Sequence, residues 1–144
     1  MSGRILVVDD EAHIVQVVSL KLRNAGYEVL TAVDGEEGLE IATRELPDLI
    51  ITDFQMPYMT GLELCHALAK SPETAEIPIL MLTARGYALD EGDLERGNIK
   101  DVLSKPFSPR LIVQQVHELL DGGKRDGKQG GGADASPGTT SEAA

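Results

Sequence analysis

The sequence predicts an α/β protein: a doubly wound parallel sheet of five strands with five helices. Three observations predict it. Short continuous apolar runs recur, "ILVV" at 5–8, "LII" at 49–51 and "ILML" at 79–82, and runs without polar alternation suit strands covered on both faces. Between them lie segments with apolar residues at helical spacing, and strands alternating with helices imply βαβ units. Apolar residues make up 42% of the 144 residues but aromatics only 3%, which fits one domain of ordinary size with an aliphatic core.

Each element follows from local chemistry. "RILVVD" supplies the first strand. "AHIVQVVSLKLRNAG" is a helix in which Ile14, Val17, Val18 and Leu22 are expected to share the buried stripe, with Gly26 ending it. "YEVLTAV" is rich in β-formers and gives the second strand. "DGEEGLEIATREL" is helical: Asp34 can cap it, and Glu36 and Glu37 occupy a first turn where the helix dipole favours negative charge. "DLIITD" is the third strand, "TGLELCHALAK" the third helix and "PILMLTA" the fourth strand. The fourth helix is expected within "RGYALDEGDLERGN", but Leu89 and Leu94 are out of helical register. Gly92 and Gly97 each weaken a helix by roughly 1 kcal/mol relative to Ala, so a short, mobile helix is expected over 86–99. "DVLSKP" is the fifth strand. "SPRLIVQQVHELL" is the last helix, with Ser108 as cap and Pro109 at its first position. From Gly122 onward there is no Leu, Ile, Val, Phe, Met or aromatic residue. Nothing there offsets the entropy of ordering, so residues 1–121 are expected to form the domain and 122–144 a disordered polar tail.

The net charge is −11, and the three basic and three acidic residues of the tail cancel, so the surplus belongs to residues 1–121. That balance argues against a nucleic-acid partner and against anionic membrane surfaces. The single cysteine, Cys65, excludes an internal disulfide and reads as a small core residue. His13, His66 and His117 fall on three different helical segments without metal-ligand spacing. No stretch has the layout of a signal peptide, and no apolar run is long enough to span a bilayer, so a soluble cytoplasmic protein is expected.

In open parallel sheets, chemistry gathers beyond the carboxyl ends of the strands. There the first strand delivers Asp9 and Asp10, the third Asp53, the fourth Thr83 and the fifth Lys105 followed by Pro106. Any one of these has an ordinary explanation as a turn former, a cap or a solvated charge. Their joint arrival on one edge does not. Three crowded carboxylates repel one another, and a hard divalent cation removes the conflict: Mg²⁺ takes oxygen ligands and keeps several waters. Asp53 is then a carboxylate able to attack phosphorus and form an acyl phosphate. Lys105 suits a phosphate oxygen as a compact point charge, and Thr83 can donate its hydroxyl to another.

At these residues the sequence resembles the receiver domain of two-component response regulators, over about residues 3–121. The resemblance is carried by "LVVDDE", "DLIITDFQMPYMTGLEL", "ILMLTA" and "LSKPF". It implies a flavodoxin-like sheet of strand order 2-1-3-4-5. It implies that Asp53 is the phosphoacceptor and that Asp10 binds Mg²⁺ directly, with Asp9 binding it directly or through water. Gln55 would offer its backbone carbonyl to the metal, while Thr83 and Lys105 would contact the phosphoryl group. Lys105–Pro106 would be cis, and Pro57 and Gly61 would shape the loop after Asp53. The expected function is that of a single-domain response regulator, not an enzyme acting on outside substrates. It would take its phosphoryl group from a sensor histidine kinase or histidine phosphotransfer protein and signal to a downstream protein or pass the group on. Gln55 and Arg85 would flank the site and tune hydrolysis.

Val102 stands three residues before Lys105, where such proteins commonly carry Tyr or Phe. The usual coupling of threonine to an aromatic ring therefore cannot operate, and ordering of residues 86–99 is the expected substitute. Two alternatives stay open. One is a receiver kept as an interaction module without phosphorylation. The other is an aspartyl-phosphate phosphatase, which would need a second Asp where Gln55 stands.

Overall fold

A computed structural model describes residues 3–83, 92 and 98–129, with side chains through Asp121. Five strands form one sheet: β1 (Arg4–Val8), β2 (Glu28–Ala32), β3 (Leu49–Asp53), β4 (Ile79–Thr83) and β5 (Ile99–Ser104). All neighbours are parallel and the order is β2-β1-β3-β4-β5. The predicted fold class therefore stands. Helices α1 (Ala12–Asn24), α2 (Gly35–Glu45), α3 (Gly61–Ala69), a single turn α4 (Pro72–Ala75) and α5 (Pro109–Gln129) complete the described elements. The turn α4, in "SPETAE", was not anticipated. The helix expected over 86–99 lies outside the described residues, except at Gly92, which is helical, Asn98, which forms a turn, and Ile99, which already opens β5. Helix α5 continues to Gln129, past the expected boundary at residue 121, and residues 130–144 lie outside the described residues.

Strand alternation divides the core into two aliphatic layers. Leu6, Val8, Ile50, Ile79 and Met81 face one side and pack with Ala42 of α2 and Leu64, Cys65 and Leu68 of α3. Ile5, Val7, Leu49, Ile51, Leu80 and Leu82 face the other, against Val18 and Leu22 of α1 and Ile112 and Val116 of α5. Strands β3 and β4 are buried at every position, as their unbroken apolar runs require. On α1 the buried set is Val15, Val18, Ser19 and Leu22, and Val17 is 44% exposed. The spacing i, i+3, i+4, i+7 beginning at Val15 matches the helical stripe, and Val17 falls on its flank.

Caps fix where the helices begin. Asp34 accepts a hydrogen bond from Glu37 N–H at 2.8 Å. Thr60 and Glu63 form a reciprocal capping box, Glu63 N–H to Thr60 Oγ1 at 3.1 Å and Thr60 N–H to Glu63 Oε1 at 2.9 Å. Gly26 takes φ 102° after α1, a left-handed conformation that glycine adopts without strain.

The loop from β3 to α3 is tied back onto the strand, because Gly61 N–H donates to Phe54 O at 2.7 Å. A Cβ on Gly61 would overlap the backbone carbonyl of Asp53. We therefore expect Gly61→Ala to destabilise the domain by about 2 kcal/mol or more, read from the midpoint of urea unfolding. A variant as stable as the parent would show that this approach is not a constraint.

Candidate functional site

Strands β1 and β3 are neighbours, with Val8 paired to Thr52. Continuing that register by one residue sets Asp9 beside Asp53. Asp9 is fully buried and Asp53 is 5% exposed, while Asp10 is exposed. Carboxylate oxygens of Asp9, Asp10 and Asp53 all lie within 4.8 Å of one another. Asp9 N–H extends the ladder to Ala32 O at 3.2 Å, fixing the backbone, and Asp9 Oδ1 accepts from Glu11 N–H at 2.9 Å, fixing the buried carboxylate.

Lys105 comes from the far edge of the sheet. Its backbone N–H donates to Thr83 O at 2.7 Å, which fastens the end of β5 to the end of β4, and the Lys105–Pro106 bond is cis. Its Nζ lies 2.8 Å from Asp53 Oδ1, 3.4 Å from Glu11 Oε1 and 3.5 Å from Asp9 Oδ2. Asp10, Glu11, Asp53, Gln55 and Lys105 line a cleft of about 310 Å³. A hollow of about 440 Å³ at the opposite, amino ends of the strands is lined by Gly3, Arg4, Gly26, Glu28, Leu46 and Asp48, and gathers no comparable set of catalytic groups. Thr83, 1% exposed, ends β4 with its Oγ1 buried and without a hydrogen-bond partner among the described residues.

The sequence-predicted residues Asp9, Asp10, Asp53, Gln55 and Lys105 thus share one cleft region, and Thr83 closes the strand beside Asp53. Arg85 lies outside the described residues. Glu11 was not singled out for the site, though the run Asp9-Asp10-Glu11 carried the signal. Val102 is half-buried and packs against the layer that holds Met81.

Burial dominates the electrostatics. It pushes the Asp9 carboxyl up to about 6; the hydrogen bond from Glu11 N–H opposes this, the charge of Asp53 reinforces it, and Lys105 opposes it. Asp53 is also raised, first by burial, with Lys105 pulling the other way and Asp10 and Glu11 adding to the rise. Burial works against the Lys105 ammonium, but its bond to Asp53 and the charges of Asp9 and Asp53 outweigh that and raise its pKa. Cys65 is different: burial alone pushes its thiol up to about 12, as befits a core residue rather than a nucleophile.

These shifts carry a sign. The folded Asp9 carboxyl holds its proton more tightly than the unfolded one, so the folded state loses stability as pH rises from 3.8 to about 6. Above that window the whole penalty, on the order of 3 kcal/mol, is present at about 1.4 kcal/mol per pH unit. In metal-free buffer, Asp9→Asn is expected to raise stability at pH 7.5 by roughly 2 kcal/mol and to make no difference below about pH 4. Chemical unfolding at the two pH values checks this, and a variant less stable at pH 7.5 refutes it.

The chain is similar to known proteins over most of its length. The model of the response regulator receiver domain matches residues 5–117. The alkaline phosphatase synthesis transcriptional regulatory protein PhoP of Bacillus subtilis is 44% identical over 121 residues, covering 83% of this chain and 49% of that protein. The DNA-binding dual master transcriptional regulator RpaA of Synechocystis is 40% identical, covering 81% of this chain and 48% of that protein. The solved structure of the chemotaxis response regulator CheY4 of Vibrio cholerae superposes with a TM-score of 0.76 at 37% identity, covering 83% of this chain and all of that one. The chain therefore spans about half the length of the curated relatives it matches. Those relatives correct one expectation, that nucleic acid plays no part. The net charge repels phosphate only where the surface carries it, half of each relative lies beyond the matched residues, and RpaA is named as DNA-binding. Among the described residues no helix is long and apolar enough to cross a membrane. With the family model spanning most of the chain and relatives at 40–44% identity, this chain belongs to the response regulator receiver domain family.

Proposed function

We propose that Asp53 accepts a phosphoryl group from the phosphohistidine of a sensor histidine kinase or histidine phosphotransfer protein, with Mg²⁺ held by Asp9, Asp10, Asp53 and the backbone carbonyl of Gln55. The observation that carries this reading is the Asp53–Lys105 contact at 2.8 Å within a cluster of carboxylates. The donor set fits the metal: hard oxygens, two of the three carboxylates buried, and among the described residues one ammonium, that of Lys105, paired with them. When bound, Mg²⁺ supplies charge neutralisation for the carboxylates and for the transferred oxygens.

The chain's own groups do the rest. A bond forms between an Asp53 oxygen and phosphorus as the P–N bond breaks, and the bonding pair leaves with the imidazole, which takes up a proton. Lys105 can follow the charge from the Asp53 carboxylate onto a phosphoryl oxygen. Thr83 has a buried hydroxyl with no partner among the described residues, and donating to a second phosphoryl oxygen satisfies it. Attack of water on the same phosphorus then breaks the P–O bond, restores the Asp53 carboxylate and releases inorganic phosphate. The receiver unit is taken as residues 1–121, and its output runs through a downstream protein. Val102 favours a second reading, an interaction module that is never phosphorylated, because it removes the ring through which occupancy is commonly reported.

Incubation with acetyl phosphate and Mg²⁺ is expected to add one phosphoryl mass to the protein and none to Asp53→Ala. Lys105→Ala is expected to slow the reaction roughly a hundredfold. An unmodified parent protein supports the second reading instead. Mg²⁺ alone is expected to raise Tm with the logarithm of its concentration, the gain in stability reaching about 2.7 kcal/mol at a hundred times Kd, with the gain lost in Asp10→Ala. A Tm indifferent to Mg²⁺ rejects the metal assignment.

A further inference from the structure

Glu11 occupies the N-cap of α1, yet its side chain makes no capping hydrogen bond. Side-chain oxygens at that position ordinarily accept from the free N–H groups of the first turn. Here Oε1 turns instead toward Lys105 Nζ, 3.4 Å away and 94 residues distant in sequence. The Glu11 side chain is 53% exposed while that of Lys105 is 22% exposed, so Glu11 forms the outer end of the ion-pair chain and Asp53 the inner end. Both line the same cleft.

We propose that Glu11 makes the cleft selective by charge, drawing part of the Lys105 ammonium toward the mouth and screening out small, highly anionic phosphates. The inference rests on the reading of Asp53 as phosphoacceptor and names what that site prefers. A free dianionic phosphate approaching Asp53 passes a carboxylate that nothing on the phosphate offsets, and meets an ammonium already shared among Asp53, Glu11 and Asp9. A phosphohistidine presented on a protein surface can bring a cation of its own to meet Glu11. Glu11 is thus a positioning and specificity residue, acting through Lys105 and through its own field rather than on the reacting atoms. Because it is half-exposed, solvent weakens that field, and a several-fold effect is the reasonable scale.

The test uses inorganic phosphate as probe, with Mg²⁺ present, on the parent chain, Glu11→Gln and Glu11→Asp. Affinity is read by NMR titration at ionic strengths of about 0.01 M and about 1 M, where charges are felt over roughly 30 Å and 3 Å. Glu11→Gln is expected to bind phosphate roughly three- to tenfold more tightly at low salt, with the gain gone at high salt and Glu11→Asp matching the parent. Equal affinities at low salt, a gain that survives high salt, or no phosphate binding by any of the three overturns the proposal, because capping or shape would not follow ionic strength. Phosphorylation by acetyl phosphate, which carries two negative charges, should quicken in Glu11→Gln by a similar factor, and by less with the singly charged phosphoramidate. Should no variant be modified at Asp53, the phosphoacceptor reading falls, while the phosphate affinities still decide the role of Glu11.

Discussion

Crowding of like charge at the meeting of β1 and β3 is the constraint on which the rest of this molecule turns. These are adjacent inner strands, and both end in carboxylates, one of them fully buried. A structure can tolerate that arrangement only if something positive balances it. Lys105 does so in part. Among the described residues one ammonium is shared among Asp53, Glu11 and Asp9, and the raised pKa values of Asp9 and Asp53 express first their burial and then the charge of their acidic neighbours.

The scaffold meets this tension with rigidity elsewhere. Both faces of the sheet carry packed aliphatic layers, and β3 and β4 are buried along their whole length. The loop after Asp53 is pinned by the Gly61–Phe54 hydrogen bond, and Lys105 is anchored to the end of β4 through its backbone. Repulsion therefore cannot relax by moving the strand ends apart without opening the core. Domains hold only a modest margin of stability, so buried, crowded carboxylates of this kind take a noticeable share of it.

Much of this was legible in the sequence. Unbroken apolar runs revealed the inner strands because burial on both faces leaves no room for polar alternation. The residue types at strand ends marked the site, since a parallel sheet brings those ends to one edge. Three features escaped. Helix α1 offers Ile14, Val15, Val17 and Val18 in close succession, and which of them face inward depends on how the helix sits on the sheet; Val15 won over Val17. The turn α4 is held by Thr74 Oγ1 donating to Leu68 O at 2.6 Å, a contact between residues of opposite ends of the loop that no periodicity announces. The side chain of Glu11 reaches Lys105 rather than its own helix, and such a choice depends on a strand 94 residues away. Coarser physics, burial and alternation, was readable from the chain; partner choice among polar groups was not. The net charge shows the same limit, since a total over residues says nothing of how the charge is placed on the surface.

The register shift between β4 and β5 has its own consequence. Ile79 pairs with Ile99, but Leu80 pairs with Asp101, so Lys100 is skipped and the edge strand is rephased by one residue. Ile99 and Val102 consequently face the same layer, although three positions separate them. Because the slip is confined to the sheet's margin, the other four strands keep their alignment. Lengthening or shortening the edge strand at that point would re-aim the lysine like a set screw, changing the reach of the cation while the acidic floor beneath it stays in place.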